Sequence, residues 1–138
     1  MIDCVFCRII AGRIEASRVY EDDLTVAFMS LEQPNPYKVL VVTRAHVENL
    51  FDLSDEQAAA VMQTSVKVAN AIRSISGCEG LNLVQSNGRV GQQDVFHFHL
   101  HLVPRSLGDE ILLVWDNTVS EHKELETLAA ELRGALQA

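Results

Sequence analysis

Three histidines alternate with apolar residues at His97-Phe98-His99-Leu100-His101, and Val103, Pro104 and Arg105 come closely after. The 138-residue chain has five histidines, so a cluster of three calls for a chemical reason. Residues 95–103 read as a β-strand, on which successive side chains point to opposite faces. Phe96, Phe98, Leu100 and Leu102 then share a face that packs into a core. His97, His99 and His101 share the other. That face displays three imidazoles able to titrate near neutral pH.

Two chemistries suit such a row. One is a zinc site made by the three histidines alone. Residues two apart on a strand are separated by roughly 6.5–7 Å, so the outer pair lies about 13 Å apart. Ligand atoms about 2.1 Å from a tetrahedral metal must lie within about 3.5 Å of each other, so adjacent histidines could lean together around one ion but all three on one straight strand would struggle to. The other chemistry is covalent or acid–base catalysis with the middle imidazole as the reacting group. It needs one exposed ring nitrogen and a fixed tautomer on the other. The flanking histidines then position phosphate oxygens or a leaving group.

The elements that must hold this row are legible along the chain. Residues 3–11 read as a short helix ended by Gly12. Residues 18–20 and 24–29 read as strands about a turn at residues 21–23. Pro34-Asn35-Pro36 marks a loop, and residues 38–43 form a β-branched strand. Ser54 with Gln57 makes a capping box. It opens a helix to about Ser76, in which Val61, Met62, Ser65, Val66, Ala69 and Ile72 recur at helical spacing. Gly77 and Gly80 punctuate its end. Residues 81–85 read as a strand, Asn87-Gly88 as a turn, residues 110–115 as a further strand, and residues 120–136 as an amphipathic helix. The expectation is an α+β fold: a mostly antiparallel sheet with two main helices, in one domain over residues 1–138.

At 138 residues the chain is long enough to bury its own core. A net charge of −8 argues against general nucleic-acid or anionic-membrane binding. It leaves room for a small anionic ligand in a local site. No apolar run has the length of a membrane span, and the start of the sequence lacks a basic-then-apolar leader pattern. A cytoplasmic protein is expected. Three cysteines then suggest reduced thiols or metal ligands. Cys4 and Cys7 form a C-x-x-C, which fits idle or redox-active thiols as well as a metal site.

The run from Gln93 through His97, His99 and His101 to Arg105 resembles the signature of the histidine triad (HIT) family. Residues 3–10, 19–23, 27–28, 39–42 and 81–85 fit the family in order, so the likeness covers about residues 3–105. It is nearest to the bacterial members of the Hint branch. It implies the HIT-like fold, a homodimer, and a nucleotide hydrolase or phosphoramidase acting at the α-phosphate of an ester, amidate or anhydride. By that likeness His99 is the nucleophile that forms a nucleotidyl–histidine intermediate, and the carbonyl of His97 sets its tautomer. His101 contacts phosphate and helps protonate the leaving group, Gln93 hydrogen-bonds the leaving atom, and Asn87 helps anchor the phosphate. Phe6, Ile9, Ile14, Phe28 and Leu31 correspond to the lining of a purine nucleobase site. Cys4, Cys7, His46 and His97 match a subgroup with structural zinc.

The sequence departs from the family pattern at several places. Ser30 stands where an aspartate usually grips the ribose. Tyr37-Lys38 replaces a Gly-His or Thr-His pair. Gln92 replaces a glycine. Asp94 stands where animal members have a serine donating to phosphate, so any contact there must come from its backbone N–H. The departures put nucleoside specificity in question and leave a second expectation in play: a non-catalytic nucleotide-binding or sensing module.

Overall fold

Five antiparallel strands in the order β1-β2-β3-β5-β4 form one sheet in the computed structural model, which describes residues 3–137. The strands are β1 (Arg18–Glu21), β2 (Thr25–Met29), β3 (Val39–Thr43), β4 (Gly80–Val84) and β5 (His99–Arg105). The helices are α1 (Val5–Ile10), α2 (Asp55–Ser76) and α3 (His122–Leu136). No helix among the described residues is long and apolar enough to cross a membrane.

The central strand explains why the sheet has two dissimilar faces. All five residues of β3 are buried, as a strand covered on both sides requires. Val39 and Val41 join Phe98, Leu100 and Leu102 in a core with Val61, Val68 and Ile72 of α2. Leu40 and Val42 face the other way, with Val26 and Phe28 of β2 and Phe6 and Ile9 of α1. This second core is thinner, because α1 has only six residues, and the candidate site opens beside it.

Helix α2 begins and ends as its sequence dictates. The Ser54 side chain accepts from the Gln57 N–H, and the Gln57 side chain returns the bond to the Ser54 N–H. Gly77 closes the helix in the left-handed region at φ 67°. Its buried residues are Val61, Thr64, Ser65, Val68 and Ile72. Met62 and Val66 from the expected stripe are instead 50% and 55% exposed. The stripe turns toward Thr64 because its hydroxyl meets that of Thr25 at 2.7 Å, a buried pair that ties α2 to β2.

Three expectations are corrected. The triad strand starts at His99, so residues 95–98 follow no strict alternation. Phe98 is buried, whereas Phe96 is only half-buried and stacks against the Arg89 guanidinium. Residues 110–115 form no strand, because the sheet's edges are β1 and β4 and neither receives them. They are held at their start, where Arg105 pairs with Asp109 and donates to the Ile111 carbonyl. Trp115 is 76% exposed.

Among the described residues, two non-glycine residues lie in the left-handed region, Tyr37 at φ 80° and Gln92 at φ 70°. Gln92 stands where the family pattern has glycine and Tyr37 where it has glycine or threonine, and the backbone keeps the glycine-type conformation at both. The conformation costs a side chain about 1–2 kcal/mol, whereas glycine loses about 0.5–1 kcal/mol through its freedom when unfolded. Gln92→Gly is therefore expected to raise stability by up to about 1 kcal/mol, and Gln92→Val to lower it. Denaturant unfolding of the two variants checks the sign.

Candidate active site

The site grows from the turn that precedes β5. The backbone N–H groups of Gly91 and Gln93 donate to the Gly88 carbonyl, and that of Gln92 to the Arg89 carbonyl. A Cβ at Gly91 would lie 2.5 Å from the Asn87 carbonyl oxygen, so only glycine fits there. The buried Gln93 amide clamps this turn: its Oε1 accepts from the Gly88 N–H at 2.8 Å. Its Nε2 donates to the carbonyls of Glu48 at 2.7 Å and Val95 at 3.1 Å. Both donor hydrogens are spent, and Gln93 does not line the cavity beside His99. Asn87 is likewise engaged, accepting from the Leu50 N–H and exchanging hydrogen bonds with the Gln85 amide, and it does not line that cavity.

The triad is split between two surroundings. His97 is fully buried, and its Nε2–H donates to the Thr43 carbonyl at 2.7 Å. Burial holds its imidazole below the usual histidine range, so it is neutral and its Nδ1 carries a free lone pair. That lone pair points at Cys4 Sγ (3.4 Å) and Cys7 Sγ (3.5 Å), and Cys7 Sγ is 3.3 Å from His46 Nδ1. One ligand atom from each of Cys4, Cys7, His46 and His97 lies within 4.8 Å of all the others. Burial and the neighbouring Cys4 push the Cys7 thiol up.

His99 faces the other way. Its Nδ1–H donates to the His97 carbonyl at 2.7 Å, which in the neutral ring leaves the lone pair on Nε2. The ring is 4% exposed and packs edge-on against Phe6, with centroids 5.0 Å apart. The His101 ring stands 5.0 Å from it. Burial and the nearby Lys38 push His101 down to about 4, so it too is neutral at pH 7. Asp94 Oδ1 lies 3.5 Å from His99 Nε2, at the mouth of the site.

A cavity of about 540 Å³ opens onto His99 and His101. Phe6, Ile9, Ile14, Phe28, Ser30, Leu31 and Asp94, all singled out from sequence, line it. Phe6 and Phe28 meet edge-to-face at 5.5 Å and form its apolar wall, while Leu31 stands fully exposed at the rim. The buried Ser30 accepts from the Glu32 N–H at 3.3 Å. Glu15, Glu32 and Lys38 also line the cavity, although no motif marks them as site residues. Lys38 was findable: it keeps the parity of Leu40 and Val42 on the site face of β3. A partly open cavity with an apolar wall on one side and the His99 imidazole at its end suits a flat ring joined to an electrophilic group.

Comparison with known proteins supports this picture. Residues 11–107 match the model of the HIT domain family. An adenosine 5′-monophosphoramidase of Schizosaccharomyces pombe is 30% identical over 137 residues, spanning 99% of this chain and 100% of the relative. The crystal structure of a HIT family protein from Bacillus anthracis superposes with a TM-score of 0.92 at 35% identity, covering 96% of both chains. A zinc-bound histidine triad family protein from Mycobacterium smegmatis superposes at 0.76 with 30% identity, over 97% of this chain and 98% of that one.

Proposed function

The chain belongs to the histidine triad (HIT) family, and on that premise we propose that it hydrolyses purine nucleotides substituted at the α-phosphate, through a nucleotidyl–histidine intermediate. The observation that carries this reading is His99: its tautomer is fixed by the His97 carbonyl, and its Nε2 faces a cavity sized for a nucleotide. In the first step Nε2 bonds to the α-phosphorus, the bond to the leaving group breaks, and the leaving atom takes a proton. In the second, water attacks the same phosphorus, the P–N bond breaks, and the free nucleotide departs. His101 stays neutral in the empty site, so it first acts as an N–H donor to phosphate. The incoming negative charge then favours its protonation and its part as acid.

The same reading assigns Cys4, Cys7, His46 and His97 to a structural zinc. Tetrahedral S- and N-ligands stand about 3.3–3.8 Å apart. The sulfur–nitrogen distances of 3.3–3.5 Å fall within that range. The Thr43 carbonyl supplies the outer contact that orients a ligating imidazole. A metal bound here supplies a cross-link, not chemistry. His97 ties the cluster to the nucleophile through its own carbonyl. A homodimer belongs to this reading as well. No residue of α3 is buried, and Leu125, Leu128 and Leu132 leave an apolar stripe uncovered.

One observation favours the non-catalytic alternative: the Asp94 carboxylate faces the attacking nitrogen, where it repels a phosphate. Steady-state turnover of adenosine 5′-phosphoramidate and a diadenosine polyphosphate decides between the two. Release of AMP from either supports the enzyme. Tight AMP binding without turnover supports the binding module, and neither result overturns the nucleotide reading.

A further inference from the structure

The nucleotide reading leaves the ligand's charge unmatched. Three carboxylates, Glu15, Glu32 and Asp94, line the cavity, and the chain as a whole carries −8. Lys38 is the one lysine or arginine in the lining.

Its placement follows from β3. Val39 pairs with Leu102 and Leu40 with His101 in the β3–β5 register. Lys38 precedes this pair on the site face and lies diagonally beside His101, close enough for its charge to oppose protonation of that ring. Among the described residues, no hydrogen bond or ion pair engages the Lys38 ammonium. Its backbone, by contrast, is fastened on both sides. Gln33 Oε1 accepts from the N–H groups of Tyr37 (2.8 Å) and Lys38 (3.1 Å). Gln33 Nε2 donates to the carbonyls of Ser30 and Lys38, both at 2.8 Å. The Ser30 N–H adds a bond to the Lys38 carbonyl at 3.1 Å. The left-handed Tyr37 is held by this clamp, which fastens the backbone at Lys38. An unpaired ammonium at the cavity, carried by a half-buried residue on a fastened backbone, is a prepared anion contact.

We propose that Lys38 is a phosphate-binding residue, whose ammonium takes the α-phosphate oxygens of the nucleotide presented to His99. The inference rests on the nucleotide reading above. It gives this chain a fixed cation where its relatives' pattern has a histidine.

Calorimetric titration of adenosine and AMP into the wild type, Lys38→Met and Lys38→Arg tests it. Methionine keeps the length of the side chain and removes the charge. The expected result is a roughly 10- to 100-fold loss of AMP affinity in Lys38→Met, with adenosine affinity unchanged and most AMP affinity kept in Lys38→Arg. The AMP preference of the wild type should also weaken with added salt. An AMP-to-adenosine affinity ratio equal to wild type in Lys38→Met overturns the proposal while leaving the nucleotide reading intact. A wild type that binds neither ligand overturns the nucleotide reading and this inference with it.

Discussion

Replacing His99 with alanine is expected to lower turnover of adenosine 5′-phosphoramidate by about 10⁴-fold or more, the scale set by removal of a covalent nucleophile. That factor corresponds to about 5.5 kcal/mol of lost transition-state stabilisation. AMP affinity should change by only a few-fold. The apolar wall of Phe6, Ile9 and Phe28 and the Lys38 ammonium are untouched by the change. The split between turnover and binding matters, because a variant that merely misfolds loses both. His99→Gln, a neutral side chain with no ring nitrogen to attack, should behave as alanine does. Rapid-quench and steady-state assays of the purified variants, beside calorimetric AMP titration, measure both quantities. Near-normal turnover in either variant removes His99 from the mechanism and returns the site to a binding role.

Withdrawing zinc is expected to have the second-largest effect. Metal analysis of protein purified from zinc-containing medium without chelator should give about one zinc per chain. A ligand that binds only the folded state stabilises it by RT ln(1 + [L]/Kd), about 4 kcal/mol at a thousandfold excess of free metal over Kd. For a chain of this size that is roughly 10 °C in Tm. The sheet and α2 form a core of their own, so the apo protein should remain folded, unlike small metal-nucleated domains. Cys7→Ser should reproduce the loss and be insensitive to added zinc. Because thiol ligands bind as thiolates, metal affinity should fall as pH falls. Metal-free protein with an unchanged Tm would defeat the assignment. His97 would then be a buried imidazole held by Thr43 and two thiols.

How much of the site was legible depended on how local the signal was. The spacing of His97, His99 and His101 brought out three neighbouring imidazoles, of which His99 and His101 share the cavity. It could not tell that His97 lies before the strand, and its grouping with Cys4 and Cys7 came only from the family resemblance. The Ser54 capping box and the Gly77 stop marked α2 to within a residue, since both are bonds between near neighbours. Residues 110–115 have the composition of a strand and no strand beside them, and pairing is a property of two segments. Gln93 reads as a site residue by its position, yet its amide is consumed by Glu48, Gly88 and Val95.

The sequence alone marked the limits of α2, the candidate metal ligands and the candidate nucleophile, because each rests on side-chain type at fixed short spacing. The tertiary structure alone decided which atoms of those residues remain free. Thr43 and the His97 carbonyl, 54 and two residues from their partners, choose the tautomers of His97 and His99. The β3–β5 register brings Lys38 beside His101 across 63 residues of chain, and Gln33 fastens it there. A hydrogen bond or a charge acts over a few ångströms of space, whatever the separation along the chain. The free nitrogen of His99 and the free ammonium of Lys38 are therefore facts of packing, which spacing in the sequence does not contain.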